Sequence, residues 1–224
     1  MIRRSKRKVE LGLTTMMAAV ACAGLLSSRA WAVDPPNAPP VYTDAYSVNY
    51  YTTTAGGAPV DETVHIINPT GGTRCANIYV FDAIQNLQEC CSCPITHNGL
   101  LTLSVNANLT NNPVALPAGT TALTNGVIKI VSGTQIPPPK TSPTAPPTCS
   151  AGTPLPAPEL RAWIIHYPPP PALPAGTDGA FASARLDTQE LDSWLEAPCA
   201  TILSGTTSPL PGVCTCGAPG TSAG

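Results

Sequence analysis

Apolar and polar residues alternate along much of this chain with the two-residue period of half-buried β-strands. From Val41 to Thr54, Tyr42, Tyr46, Val48 and Tyr50 share one parity, while Thr43, Ser47 and Asn49 hold the other. This predicts a strand with an aromatic face. Gly56-Gly57 interrupts the pattern, and it resumes from Val60 to Asn68 with Val64 and Ile66 facing one way. Pro69-Thr70-Gly71-Gly72 then reads as a turn. Cys75–Asp82 is apolar on both parities, as in a central strand, and Leu87–Ile95 is its expected hairpin partner. A short helix from Asp82 to Glu89 is the rival reading. Asn98-Gly99 is a hairpin-turn dipeptide ahead of Leu101, Leu103 and Val105, which share a face. Asn125-Gly126 repeats that turn signal ahead of the apolar run Val127–Val131. Leu160–Tyr167 reads as a second two-sided core strand, stopped by Pro168–Pro171, with Phe181–Leu186 as its partner.

The period changes once. Asp187-Thr188-Gln189-Glu190 has the layout of a capping box, with Asp187 in the cap position. Leu191, Trp194 and Leu195 follow at helical spacing, and Ile202 continues the stripe. This predicts one helix over about 188–204, kinked at Pro198 and ended by Gly205. Asp187, Glu190 and Asp192 load its first turns, where the helix dipole favours carboxylates.

Residues 136–159 hold nine prolines in 24 positions. That density excludes a core strand or helix and predicts a mobile surface loop. Lys140 is the only basic residue there to assist a proline-recognition ligand. The fold expected is mainly β: an antiparallel, sandwich-like domain with one C-terminal α-helix, stapled by disulfides. It spans residues 41–216 and is interrupted by the proline-rich loop. A stiff Pro-rich lead-in, 33–40, precedes it, and a flexible tail of small residues, 217–224, follows.

The first 32 residues have a different logic. Arg3, Arg4, Lys6, Arg7 and Lys8 precede an apolar stretch from Leu11 to about Leu26, and Ala30-Trp31-Ala32 supplies a small-x-small cleavage signal. This is the layout of a secretory signal peptide, too short in its apolar part to be read as a spanning helix. A retained N-terminal anchor is one alternative. Another is a lipoprotein, because Ala19-Val20-Ala21-Cys22 resembles a lipid-attachment site. The Arg3-Arg4 pair is followed by Ser5-Lys6-Arg7-Lys8 rather than the apolar residues of twin-arginine export. The expected location is secreted, periplasmic or cell-envelope, with no transmembrane helix once the leader is gone.

Charge then narrows the function classes. Charged residues make up 11 % of the sequence, against roughly a quarter in ordinary globular proteins. Removal of residues 1–32 leaves Arg74, Lys129, Lys140, Arg161 and Arg185 against twelve carboxylates, a net charge of −7. Five scattered cations provide no basic patch for nucleic acid or anionic lipid.

Nine cysteines become eight when Cys22 leaves with the leader: Cys75, Cys90, Cys91, Cys93, Cys149, Cys199, Cys214 and Cys216. An even count in an exported chain reads as disulfides. In an extended strand Cys91 and Cys93 share one face and Cys90 takes the other, so they are expected to bridge to different segments. Cys199 is placed to close a short loop with Cys214 or Cys216, and a bridge from Cys149 would staple the proline-rich loop. The functional alternative is a metal or redox site of Cys90, Cys91 and Cys93 with His97 nearby. The paired C-x2-C knuckles preferred by zinc sites are absent among adjacent cysteines.

Cys75-Ala-Asn-Ile-Tyr-Val-Phe-Asp, Glu89-Cys-Cys-Ser-Cys-Pro-Ile-Thr, Asn98-Gly-Leu-Leu-Thr-Leu-Ser-Val, Leu160-Arg-Ala-Trp and Gly212-Val-Cys-Thr-Cys-Gly together carry a resemblance. The chain resembles an uncharacterised group of small exported bacterial Cys-rich proteins that share the Glu-Cys-Cys-x-Cys-Pro run. The resemblance covers about half of the mature chain and implies export, with no activity or site to transfer.

Candidate chemistry is sparse. His65 and His166 fall in predicted strands, His65 opposite in parity to Val64 and Ile66, His166 sharing parity with Ile164. Lone strand histidines are read here as structural. Asp61-Glu62 is the only adjacent carboxylate pair and is expected to face solvent. No nucleophile elbow, zinc-protease helix, phosphate loop or calcium loop is present, so no cofactor or catalytic residue is assigned. Asn108-Leu109-Thr110 is a formal glycosylation sequon. Two function classes remain: a non-enzymatic binding or structural β domain with a cell-surface or extracellular partner, and a secreted hydrolase whose site assembles only in space.

Overall fold

The computed structural model describes residues 44–114, 123–167, 176–205 and 211–217. The leader, Cys22, the lead-in, Tyr42, Pro168–Pro171 and the end of the expected tail lie outside these residues. Among the described residues the strands are β1 (Tyr46–Thr52), β2 (Thr54–Ala55), β3 (Ala58–Pro59), β4 (Thr63–Ile67), β5 (Arg74–Asp82), β6 (Leu87–Ile95), β7 (Leu100–Ser104), β8 (Asn125–Thr134), β9 (Leu155–Pro156), β10 (Arg161–His166), β11 (Thr177–Ala180) and β12 (Ala182–Ser183). They form a large antiparallel sheet ordered β12-β1-β8-β5-β6, with β9 added to β8, a four-stranded sheet ordered β11-β10-β4-β7, and the small β2-β3 ribbon.

Alternation along the strands makes three layers. Ala76, Ile78, Val80, Ile128 and Ile130 of the large sheet pack with Val64, Ile66, Leu103 and Ile164 of the smaller one in a single core. The opposite parity of the large sheet presents Tyr46, Tyr79, Phe81, Cys90 and Val131 to a second core. Leu191, Leu195 and Cys199 of the C-terminal helix cover that face. This explains why Cys75–Asp82 is apolar on both sides: β5 lies in the middle layer and is buried along nearly its whole length.

The β5–β6 hairpin forms as expected, with one register shift between Val80 and Phe81, and the helical rival over 82–89 is not formed. Asn98-Gly99 lies in a turn, with Asn98 at φ 53. Asn125-Gly126 does not: both residues lie inside β8, Gly126 paired with Tyr51 and Asp82. Glycine is required there by proximity, because a Cβ would collide with the Phe81 carbonyl oxygen and fall 2.9 Å from the Tyr51 ring. The partner of β10 is β11, just before the expected segment. After Ala180 the chain leaves that sheet, Phe181 turns into the core, and β12 pairs with β1.

The helix occupies its expected span with a different pitch. Glu190–Glu196 is π-helical and runs into an α-helix, Ala197–Leu203 (α1). Asp187 caps it as expected, its Oδ1 accepting the Glu190 amide at 2.8 Å. Pro198 lies where the π-helical turns pass into α1.

The proline-rich segment is stapled to the body. Cys149 is bonded to Cys75, Ile136 bridges Thr148, Tyr79 Oη donates to the Ala151 carbonyl at 2.7 Å, and β9 pairs with β8. The free edge of β6 is covered by the chain near its end: the Cys90 amide donates to Gly212 O at 2.7 Å, and the Cys214 amide returns to Cys90 O at 3.3 Å.

Candidate functional site

All eight expected cysteines are paired: Cys75–Cys149, Cys90–Cys199, Cys91–Cys214 and Cys93–Cys216. Cys91 and Cys93 point into the inter-sheet core and meet the Cys214-x-Cys216 segment, whereas Cys90 points to the helix. The parity argument therefore holds, but Cys199 does not close the short loop expected of it. It lies on the helix that covers the Cys90 face. The sulfurs of Cys91, Cys93 and Cys216 lie within 4.8 Å of one another. As disulfide sulfurs they lack the thiolate a metal needs. His97 is exposed, with Nδ1 at the Thr70 carbonyl and Nε2 at 3.0 Å from Asn98 Nδ2.

Beside the helix lies a cleft of about 520 Å³. Its floor is Phe81 of β5 with Val127 and Lys129 of β8; its walls are Ile84–Asn86 and the helix residues Glu190 and Trp194. The Ile84–Asn86 wall is shaped by Asp82, whose Oδ1 accepts the amides of Ile84 (3.0 Å) and Asn86 (2.8 Å). Gln85 takes the left-handed conformation at φ 68, and this tight turn leaves Ile84 73 % exposed. Lys129 lies 4.7 Å above the Phe81 ring, and its Nζ donates to Glu190 Oε1 at 2.8 Å. Tyr46 Oη donates to the same oxygen at 2.9 Å. Burial and the neighbouring Glu190 charge push the Tyr46 phenol well above its ordinary range, so it stays a donor.

Trp194 stands over this cleft, 59 % exposed. The helical spacing put it on one stripe with Leu191 and Leu195; the structure separates it from them. In π-helical turns each residue contributes less rotation, so position i+4 returns to the buried face and position i+3 falls short of it. Leu191 and Leu195 are buried accordingly.

A second polar constellation lies between the sheets. Glu62, expected in solvent, is fully buried, and only Asp61 is exposed. Glu62 Oε1 lies 2.8 Å from His166 Nδ1, and Oε2 accepts the Thr52 amide at 2.9 Å. Strand parity fixes this: Glu62 shares the inward parity of Val64, and His166 that of Ile164. Tyr50 stacks on the imidazole with centroids 4.4 Å apart. His166 Nε2 is buried without a hydrogen-bond partner, and a Cβ on Gly179 would lie 2.8 Å from it. A backbone segment thus closes over the nitrogen that a catalytic base needs open.

On the outer face of the small sheet, His65 stacks on its cross-strand neighbour Trp163 at 5.0 Å, and its Nδ1 lies 3.1 Å from Thr102 Oγ1. Burial lowers the His65 pKa, opposed by the charge of Asp178. Deeper, Glu89 is fully buried; its Oε1 accepts the Asn112 amide at 2.6 Å while Oε2 has no partner. Desolvation raises its pKa to about 7, against the smaller opposing effect of the Asn112 bond. Tyr51 Oη is likewise buried and unbonded.

Lys129 and Glu89 went unassigned from the sequence. A single cation inside Val127-Ile128-Lys129-Ile130-Val131, and a carboxylate directly before paired cysteines, are the signals that mark them. The chain matches no protein-family model, no curated protein and no solved structure. Among the described residues no helix is long and apolar enough to cross a membrane.

Proposed function

We propose that this chain is an exported, non-enzymatic binding domain of the bacterial cell envelope or extracellular space, whose ligand occupies the cleft under Trp194. The observation that carries the reading is the exposure of a large indole over a partly apolar cleft, since binding sites combine aromatic walls with a few placed polar groups. The scaffold suits the role: Cys90–Cys199 ties the helix wall to the sheet that forms the floor. The signal-peptide layout, the paired cysteines and the resemblance to small exported Cys-rich proteins support the location.

The secreted-hydrolase reading rests on the Glu62–His166 pair, which has the carboxylate–imidazole half of a nucleophile-activating system. The stacked Tyr50 and the closed Nε2 weigh against it.

The deciding experiment uses the oxidised chain lacking residues 1–32. It is incubated with envelope fractions of the producing cells and, separately, with chromogenic ester, glycoside and peptide substrates. Envelope retention that Trp194→Ala abolishes, without turnover, is the expected result. Turnover abolished by His166→Asn overturns the proposal in favour of the hydrolase.

A further inference from the structure

We infer that the Trp194 cleft takes a neutral saccharide, an inference that rests on the binding reading above and names its ligand class. The charged groups of the cleft cancel locally: Lys129 and Glu190 are paired at 2.8 Å, and Tyr46 and Phe81 take up the remaining contacts of that pair. No unpaired cation is left for a phosphate or carboxylate ligand. The other carboxylates of this helix, Asp192 and Glu196, lie outside the cleft lining, so an anionic polymer or lipid headgroup finds only the already paired Lys129 there. What the rim offers is the Trp194 ring, the exposed Ile84 side chain and the exposed amides of Gln85 and Asn86, Asn86 Nδ2 also donating to Asp82 Oδ2 at 3.4 Å. A primary amide presents two donors and an acceptor at one point. Vicinal hydroxyls on a sugar ring present the complementary set, and the C–H face of a pyranose matches the apolar, electron-rich face of an indole. A volume of about 520 Å³ lies within the range of small-ligand sites, so one end of an oligosaccharide fits without rearrangement. A peptide ligand would need strand pairing or a charge partner, and the cleft supplies neither.

The probes are chitohexaose, cellohexaose and maltohexaose, with polygalacturonate as the anionic comparison, titrated into the oxidised chain lacking residues 1–32. Binding is followed by calorimetry and tryptophan fluorescence. At least one neutral hexaose is expected to bind and to shift the emission. Trp194→Ala should weaken it at least tenfold, and Gln85→Ala with Asn86→Ala several-fold, with melting temperature and circular dichroism unchanged. No binding of any neutral hexaose at millimolar concentration, preference for polygalacturonate, or binding that survives Trp194→Ala overturns the saccharide assignment. If envelope retention still depends on Trp194 in that case, the binding reading stands and only the ligand class is wrong. If neither depends on Trp194, both fall.

Discussion

Glu62 holds His166 through a 2.8 Å contact and, with its other oxygen, holds the end of β1 through the Thr52 amide. One buried carboxylate therefore ties the small sheet to the large one. Removing one member of such a pair strands a buried polar group, which costs about 3–5 kcal/mol when the group left behind is charged. Both His166→Asn and Glu62→Ala should lower stability by several kcal/mol in urea titration. The double variant should be less destabilised than the sum of the two. Strict additivity would show that the contact carries no coupling.

Trp194 and Leu195 are neighbours with opposite fates. Leu195→Ala should cost about 2–5 kcal/mol, because it opens a cavity in a fully buried position. Trp194→Ala should change stability by no more than about 0.5 kcal/mol, as at other exposed sites. A Trp194→Ala variant that melts far below wild type would return this indole to the core.

Glu89 imposes a pH dependence with a definite sign. Its pKa rises from 4.5 to about 7 on folding, so between those values the folded chain binds more protons than the unfolded one. Stability must then fall as pH rises across that window, by up to about 3 kcal/mol. Glu89→Gln should remove this slope and gain stability over wild type at pH 8 but not at pH 4.5. An unchanged difference between the two proteins at both pH values would contradict the burial of an ionisable carboxyl.

The disulfide map is directly checkable. Non-reducing peptide mapping should recover Cys90–Cys199 and Cys75–Cys149 as separate links, with no alkylatable thiol. Loss of the Cys90–Cys199 bond through a double serine variant should cost about 3 kcal/mol, since with Cys91–Cys214 intact it closes a further loop of only about 16 residues. A Cys199–Cys214 peptide would refute the docking of the helix on the Cys90 face.

Exchange among neighbouring sulfurs should also be seen. With Cys214→Ser, the freed Cys91 thiol lies in a cluster with Cys93 and Cys216 spanning no more than 4.8 Å. Above the thiol pKa the variant should give a mixture of Cys91–Cys216 and Cys93–Cys216 species by mass mapping. A single stable Cys93–Cys216 bond at pH 9 would mean the thiol cannot reach its neighbours.

Much of this architecture is legible in the chain because alternation and burial agree. Val64, Ile66 and Leu103 announce an inward face, and the two-sided run at β5 announces the middle layer. The parity of Cys90 against Cys91 and Cys93 separates the disulfide directions without naming partners. What escaped depends on distant segments. Gly126 serves a close approach to Phe81 and Tyr51 rather than a turn, which no dipeptide rule encodes. Glu62 looks solvent-facing until His166, 104 positions on, is brought to it. The separation of Trp194 from the Leu191–Leu195 stripe depends on the hydrogen-bond register of the helix, and hence its pitch, which is not written in the spacing of its apolar residues.

The bonds of β6 run to residues 109 and 123 positions later. Whenever the chain emerges amino end first, three adjacent thiols at 90, 91 and 93 must wait for more than a hundred further residues before a native partner exists. During that interval their nearest oxidation products are the wrong ones, including a bond among themselves or with Cys75. If oxidation begins during that interval, maturation must include reshuffling of misplaced bonds as well as formation of native ones.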